Sequence, residues 1–536
     1  MLIDGKGKEL CNFIPRVEGI IDIHSNDKES SDVQLRMEFE NEHHSQSFIV
    51  PLSKLEQTNW LEYDGRCCFN PDIPYSRINR HLANTIRKEL GNVPRKSVYQ
   101  LNSTGVHIIG EEVMYCAGKE VIRSPSGEIS DLNIESQLKN KCLDIDQVLT
   151  ESQATYEMFE LINLSPSTGN IILLFKLIYM MRQAYIDAGA RPSFCIFLYG
   201  RTGTQKTTFS SFLTQTYNRR QGILSPTRLN ASIPAAVELL LEATDDVVIL
   251  DDLFPAESSL TRKQQEQTLI ELTRYVGDGT MPARMKRGRI SNGVPKCGVI
   301  FTGEYVIGSG SDAARLLPIE MVKPEGEKLK YFQDHPLMVS TFYYFYIVWF
   351  IAHYKDIVSF LKEWWDKYRK TDLGINDRLQ ETHFFFNTAY LLLLQYWYEK
   401  KYLLTKDVFK LHSSFVELLT SLVHQQNKRV QQTKSEEVET VDYLGHIRAL
   451  YKNNILSIAS SAMQFNENIH EGVIHNECLC LRGDKLVTYF SGGDIAEIAD
   501  SLFCQGALKT GKNNRTIQIS ALNGKRFYAI PLSYLG

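Results

Sequence analysis

The chain has 536 residues, enough for about two to four domains. Hydrophobic residues make up 43% and charged residues 23%, ordinary proportions for a soluble globular protein. The formal net charge of −4 excludes a uniformly basic chain, so affinity for nucleic acid has to come from local basic patches.

Residues 1–150 read as a strand-rich N-terminal domain. Its start, Met1–Asn12, is mixed polar and lacks the apolar core of a signal peptide. The ten cysteines show no CxxC spacing, and Cys67 and Cys68 are adjacent. A cytoplasmic chain with reduced thiols is therefore expected. Val33, Leu35, Met37 and Phe39 alternate with polar residues, the period of a half-buried strand. Ser47–Leu52 and Val106–Cys116 look similar, with Gly105, Gly110 and Gly118 as punctuation. One helix interrupts them: Ser76 is placed to cap it, and Ile78, Leu82, Ile86 and Leu90 share a face. No catalytic constellation is visible in this part.

Residues 151–325 alternate apolar strands with helical segments, the pattern of a parallel α/β sheet. Ser193–Tyr199 is a continuous apolar run that suits a strand buried on both faces. Gly200, Arg201, Thr202, Gly203, Thr204, Gln205, Lys206 and Thr207 follow at once. Thr208 and a helix with Phe209, Phe212 and Leu213 on its inner face come next. Strand, glycine loop, Lys-Thr and helix are the order of a phosphate-binding loop. Glycines let backbone N–H groups turn toward phosphates, and the helix N-terminus adds positive partial charge. Lys206 would reach the β and γ phosphates of ATP, and the Thr207 hydroxyl would hold Mg²⁺. Gln205 stands where glycine is usual, and a plain strand-to-helix turn is the alternative for the loop alone.

Val247–Leu250 then leads into Asp251 and Asp252, a buried strand ending in two carboxylates. Such groups position Mg²⁺ and polarise the attacking water. Asp251 is assigned to the metal and Asp252 to the base. A basic stretch follows, with Arg284, Lys286, Arg287 and Arg289 ahead of Ser291-Asn292-Gly293, and Asn-Gly is a hairpin-turn signal. Four cations there would give salt-dependent binding to DNA, with a solvated loop as the alternative. Gly298–Phe301 is a third strand, ending in Thr302-Gly303-Glu304. A polar residue at its tip can sense the γ-phosphate. Arg315 precedes a fourth apolar run, Leu316–Met321, where an arginine can point into a neighbouring subunit's nucleotide.

Residues 326–425 are helical and rich in aromatics. Leu337–Tyr354 carries no Asp, Glu, Lys or Arg and is about long enough to span a bilayer. Its scattered tyrosines and weak basic flanks favour a buried helix. Residues 426–440 are polar and charged and read as a linker or an exposed helix. Residues 441–536 form a small α+β unit. Its helix, Asp494–Phe503, stops near Gly506. Lys509, Lys512 and Arg515 precede a strand at Thr516–Ile519. Leu522-Asn523-Gly524 turns the chain, and Lys525 and Arg526 open the last strand. A helix followed by a basic two-stranded hairpin resembles a winged helix, a module that binds DNA in some proteins and only protein in others. His470, His475, Cys478 and Cys480 fit no common zinc pattern and read as ordinary strand and loop.

Residues 165–395 resemble the AAA+ ATPases, and among them the minichromosome-maintenance-like helicases, whose loop also carries a non-glycine before the lysine. The resemblance matches Gly200, Gly203, Lys206 and Thr207 to Walker A, and Asp251 and Asp252 to Walker B, with Asp in place of the usual Glu. It puts Glu304 where that family has an asparagine sensor, Arg315 at the arginine finger and Arg378 at the second sensor. The strand-rich front, the TGE tripeptide and the closing unit resemble the replicative helicases of bacterial mobile elements of the staphylococcal-cassette type. The implied architecture is a multidomain α/β chain. It has a P-loop AAA+ core, a strand-rich front, a helical lid and a C-terminal winged-helix-like unit. The implied partners are ATP, Mg²⁺, single-stranded DNA in a pore and further copies of the chain in a ring. A DNA-binding initiator or regulator switched by its nucleotide pocket, and a P-loop enzyme acting on a small molecule or peptide, are the alternatives.

Overall fold

The structure, a computed structural model, describes all residues except 1, 4, 26–27, 41–42, 125–131, 223–226, 229–232, 254–258, 282–283, 287–288, 292, 307–309, 432–442, 489–494, 511–514 and 536. At 28, 92, 228, 252–253, 259–263, 284–286, 289–291, 487–488, 496–497, 500 and 504 it describes the backbone alone. Arg287, Lys512, most of the expected linker and the side chains of Asp252, Arg284, Lys286 and Arg289 therefore lie outside the described residues. The chain divides into two compact units, residues 1–255 with 264–431 and residues 256–263 with 432–536.

Strand alternation at the front builds a five-stranded sheet. β1 (Phe13–Ser25) and β2 (Lys28–Phe39) pair antiparallel along nearly their whole length. Val33, Leu35 and Met37 point inward and are fully buried, as their period requires. β3 (Phe48–Pro51) adds to β2. α1 (Tyr75–Glu89) buries Ile78, Leu82 and Ile86, while Leu90 lies just past its end, half-buried. Its N-cap is Pro74 and no side chain caps it. Ser76 is thus a residue of the first turn and not the cap, because the helix starts directly after the proline's fixed φ.

β4 (Arg95–Leu101) joins β1 in parallel. The strand-like stretch Val106–Cys116 forms two strands, β5 (Gly105–Ile109) and β6 (Glu112–Ala117), folded back at Gly110, whose φ is +62°. β7 (Glu120–Arg123) completes that second sheet, and β8 (Asn133–Ser136) ends the first, whose order is β8-β4-β1-β2-β3.

α2 (Glu151–Asn163) begins at a capping box formed by Thr150 and Gln153. α3 (Pro166–Met180) is apolar on every side and buried almost throughout. Such a helix has no amphipathic period to announce it. β9 (Cys195–Tyr199), α4 (Lys206–Thr214), β10 (Thr227–Arg228), α5 (Ile233–Glu242), β11 (Thr244–Leu253) and α6 (Ser259–Asp278) follow. β12 (Arg284–Lys286) and β13 (Arg289–Ser291) form an antiparallel hairpin. Lys286 pairs with Arg289, so both strands precede Asn292-Gly293, the dipeptide expected to turn the hairpin. The Asn-Gly pair follows the second strand.

β14 (Lys296–Gly303) and β15 (Leu316–Glu320) complete a parallel sheet of order β10-β11-β14-β9-β15. Cys195 to Leu198 are fully buried, as a central strand covered on both faces requires. The start of β11 is pinned by ion pairs that Asp245 and Asp246 make with Arg182 and Lys176. Asp245 sits at φ +52°, and burial pushes its carboxyl up to about 7 even though Arg182 opposes the shift.

α7 (Gly326–Asp334), α8 (Leu337–Ala352), α9 (Tyr354–Tyr368), α10 (Asp377–Glu399) and α11 (Thr405–Gln431) follow. They share one apolar core with α3 and β9, so the expected lid is a layer built into the fold. α8 is buried along most of its length against this core. Among the described residues no single helix is long and apolar enough to cross a membrane, and α7 with α8 passes only as a pair bent by 71°.

The second unit holds α12 (Tyr443–Lys452), β16 (Ile458–Ala459), β17 (Gly472–His475), β18 (Cys478–Leu481), α13 (Gly483–Thr488), α14 (Ile495–Cys504), β19 (Ile517–Ile519) and β20 (Lys525–Pro531). Its sheet order is β16-β17-β18-β20-β19. The expected two-stranded hairpin is therefore the edge of a five-stranded sheet, because β20 also pairs with β18.

Candidate active site

β9 is apolar to its end, and the chain leaves the sheet at Tyr199 and turns through Gly200–Gln205 before α4 starts at Lys206. The Gly200 N–H donates to the Gly303 carbonyl at 3.2 Å, tying the loop to the tip of β14. Arg201, Thr202, Gly203 and Thr208 are exposed around the loop. The Thr204 hydroxyl donates to the Arg201 carbonyl at 2.9 Å. Lys206 donates from Nζ to the Gly200 carbonyl at 2.7 Å and to that of Arg201 at 3.2 Å. The ammonium is thus held within the loop, where a phosphate would meet it.

Gln205 is the N-cap of α4 and lies in the left-handed region at φ +62°. That conformation explains why glycine is usual at this place. A non-glycine residue there costs about 1–2 kcal/mol, partly offset by the lower chain entropy it loses on folding. Its Oε1 is also buried without a hydrogen-bond partner among the described residues. Gln205→Gly is expected to stabilise the nucleotide-free protein by about 0.5–1 kcal/mol. A raised urea midpoint of the first unit, followed by tryptophan fluorescence, is the check. A lowered midpoint would mean that the side chain holds the loop in a way its backbone angle does not reveal.

Asp251 sits at a bulge in β11. Leu250 pairs with Phe301, but Leu253 pairs with Gly303, so β11 carries one extra residue at the two aspartates. Bulges re-aim side chains, and they recur beside active sites. The Asp251 carboxylate accepts hydrogen bonds from the Thr207 hydroxyl and from the Thr302 hydroxyl. Thr302 reaches it because β14 lies between β9 and β11. A hydroxyl and a carboxylate converging here are the hard oxygen donors that suit Mg²⁺.

Glu304, expected at the sensor position, instead accepts from the Thr202 hydroxyl in the loop. Thr302 is the residue that sequence reasoning passed over. Thr302 lies within β14 and Glu304 one residue past its end, and only the pairing register tells which one meets Asp251.

Arg315 does not project outward. Its side chain is 11% exposed. Its Nε and Nη2 donate to Asp278 Oδ1 at 3.1 and 2.8 Å, and its Nη1 donates to the Ser311 carbonyl at 2.5 Å. A nearby carboxylate and carbonyl satisfy the guanidinium, which is why it folds back. Arg378, next to the Asn376 N-cap of α10, donates to the same Asp278 oxygen at 3.0 Å.

The register places this cluster. The Cys195 N–H donates to the Arg315 carbonyl, and Cys195 pairs with Leu316 at the start of β9. The loop lies beyond the other end of β9, about 13 Å away at the strand rise. Arg315 and Arg378 therefore meet each other at the far end of the sheet from their own loop.

In the second unit Lys509 and Arg526 are exposed. Arg515 lies over the Phe503 ring, 5.5 Å from its centre, and Lys525 is paired with Glu467. The basic edge is thus partly neutralised from within. Cys478 and Cys480 are buried in β18, His475 ends β17, and His470 accepts from the Asn466 N–H.

No family model matches the chain, and no curated protein matches it. Among solved structures it is similar to an SCCmec type IV Cch active helicase at 13% identity, covering 98% of this chain and 95% of that one, with a TM-score of 0.48. It is also similar to the apo C-terminal region of NrS-1 at 12% identity, covering 93% of each chain, with a TM-score of 0.28. A JCV helicase is similar at 16% identity over 43% of this chain and 72% of that one, with a TM-score of 0.21. At these identities and TM-scores the likenesses add no weight to the geometry described above.

Proposed function

We propose that the chain is an ATP-dependent DNA helicase or translocase of AAA+ type, a replication protein of a mobile genetic element that works as a ring of identical subunits. The observation that carries this reading is the convergence of the Thr207 and Thr302 hydroxyls on Asp251, directly under the Gly200–Gln205 loop. It joins loop, carboxylate and sensor strand in one place. In this reading Arg315 and Arg378, far from their own loop, turn from Asp278 to a phosphate of the neighbouring subunit in the ring.

In this reading backbone N–H groups of the loop and the N-terminus of α4 bind the phosphates. Lys206 exchanges its carbonyl contacts for the β and γ phosphate oxygens. Thr207 and Asp251 hold Mg²⁺, which neutralises phosphate charge when bound. Asp252 takes the proton of the attacking water, and Thr302 and Glu304 orient the site around it. The β12–β13 hairpin grips the DNA strand through its cations.

Steady-state ATPase activity with and without single-stranded DNA, together with strand displacement on a forked duplex, tests the proposal. DNA-stimulated turnover with displacement is expected. Nucleotide binding with negligible turnover would favour the initiator or regulator, a reading that the unusual Gln205 and the Glu304–Thr202 bond also suit.

Replacing Arg284, Lys286, Arg287 and Arg289 together by Ala is expected to weaken single-strand binding and flatten its salt dependence. Each lost phosphate contact removes about 0.7 from the log–log slope, so the change should approach about three. ATPase activity without DNA should largely survive. Fluorescence anisotropy across a salt series measures the slope, and an unaltered slope would move the main contact to the C-terminal unit.

A further inference from the structure

The element that organises the arginine cluster is the tripeptide Gly277-Asp278-Gly279 at the end of α6. One carboxylate oxygen, Asp278 Oδ1, receives Nε and Nη2 of Arg315 and Nη2 of Arg378. The arginines come from the start of β15 and the start of α10, 37 and 100 residues along the chain from Asp278. Burial raises the carboxyl's pKa, but bonds from the two guanidiniums outweigh it and hold the group below the usual carboxylate range. Asp278 is therefore the anion that lets two like charges lie side by side.

Both flanking glycines are shaped to the arrangement. A Cβ on Gly277 would lie 2.7 Å from Arg315 Cδ. A Cβ on Gly279, whose φ is +64°, would lie 1.8 Å from Arg191 Nη1. Arg191 in turn donates from Nη2 to the Val276 carbonyl at 3.2 Å, closing the last turn of the helix that carries Asp278. Arg274 pairs with Asp312 at 2.7 Å, one turn before Asp278, and Asp312 also lies 4.0 Å from Arg315 Nη1. The cradle leaves Arg315 bound on three sides while Arg378 remains 38% exposed.

We propose that Asp278 is a positioning residue for catalysis across the subunit boundary. It aligns Arg315 and Arg378 as a pair that converges on one point, the geometry that two arginines need to share a phosphate oxygen of the neighbouring subunit. This rests on the ring reading given above. Asp278 touches no nucleotide; it acts through the arginines, whose repulsion it cancels until a second anion arrives. Its own subunit's loop lies at the other end of the sheet and is left intact by changes at Asp278.

The test is a complementation series in the full chain. Asp278→Asn is expected to lower kcat for ATP by at least about tenfold, a modest share of what a complete arginine finger contributes, with KM and binding of a fluorescent ATP analogue unchanged within about twofold. Asp278→Glu, which keeps the charge, should retain most of the turnover. Mixed with Lys206→Ala subunits, Asp278→Asn subunits should regain activity, because they supply an intact loop to an intact arginine pair. Mixed with Arg315→Ala subunits they should not, since both variants are defective on the same side. Full turnover by Asp278→Asn, equal loss in Asp278→Asn and Asp278→Glu, or loss of analogue binding would each overturn the proposal. In those cases recovery in an Arg315→Ala with Lys206→Ala mixture shows that the ring reading itself stands. If that mixture fails to recover, the ring reading falls and the proposal falls with it.

Discussion

Lys206→Ala is expected to lower ATP hydrolysis by about 10²–10³ or more, to the level of a protein-free blank, and to weaken nucleotide binding as well. The ammonium is held by the Gly200 and Arg201 carbonyls at the mouth of the loop. Charge that develops on the transferring phosphoryl group has no other lysine placed to meet it within the loop. An alanine removes the cation without filling its place, and it leaves two carbonyl oxygens facing the incoming phosphates. Binding suffers less than turnover, because the backbone N–H groups and the helix N-terminus remain. Phosphate release and analogue fluorescence measure the two effects separately. Unchanged turnover would remove the phosphate-binding loop from the account.

Arg315→Ala is expected to cut turnover by at least about 10², and arginine fingers in other phosphoryl-transfer systems contribute about 10³–10⁵. Each subunit should still bind ATP, since Arg315 sits a strand's length from its own loop. The substitution also strips Asp278 of two of the three hydrogen bonds that its Oδ1 accepts from arginine, so circular dichroism should accompany the kinetics. Mixing decides the matter. Arg315→Ala with Lys206→Ala subunits, each inactive alone, should recover up to about a quarter of wild-type activity at random order in a head-to-tail ring. Only interfaces that join an intact loop to an intact arginine contribute. An arginine acting within its own chain, or holding only the fold through Asp278, would give no recovery at any ratio.

Features carried by contiguous residues were legible in the sequence. The apolar run before Gly200 could only be a buried strand, and the glycine loop, Lys206, Thr207 and a helix with Phe209, Phe212 and Leu213 inward followed in order. Asp251 and Asp252 ended the next strong apolar run for the same reason. These are statements about period and local backbone freedom, which neighbours along the chain determine. Local signals also misled where two of them competed. Asn292-Gly293 looked like the hairpin turn, yet both paired strands precede it. Ser76 looked like a cap, yet Pro74 starts the helix first.

The tertiary structure alone decided which polar groups meet. Thr302 lies in β14 and Glu304 one residue past its end. The placement of β14 between β9 and β11, with one extra residue bulged into β11, selects Thr302 for Asp251 and leaves Glu304 to Thr202. Arg315 and Arg378 could each be singled out in the sequence, but nothing local says that both end on Asp278, far from either in the chain. Period and composition determine what an element is and which face it buries. Pairing register and long-range charge satisfaction determine what lies opposite, because a buried or half-buried guanidinium or hydroxyl takes whichever partner the packed elements bring within reach.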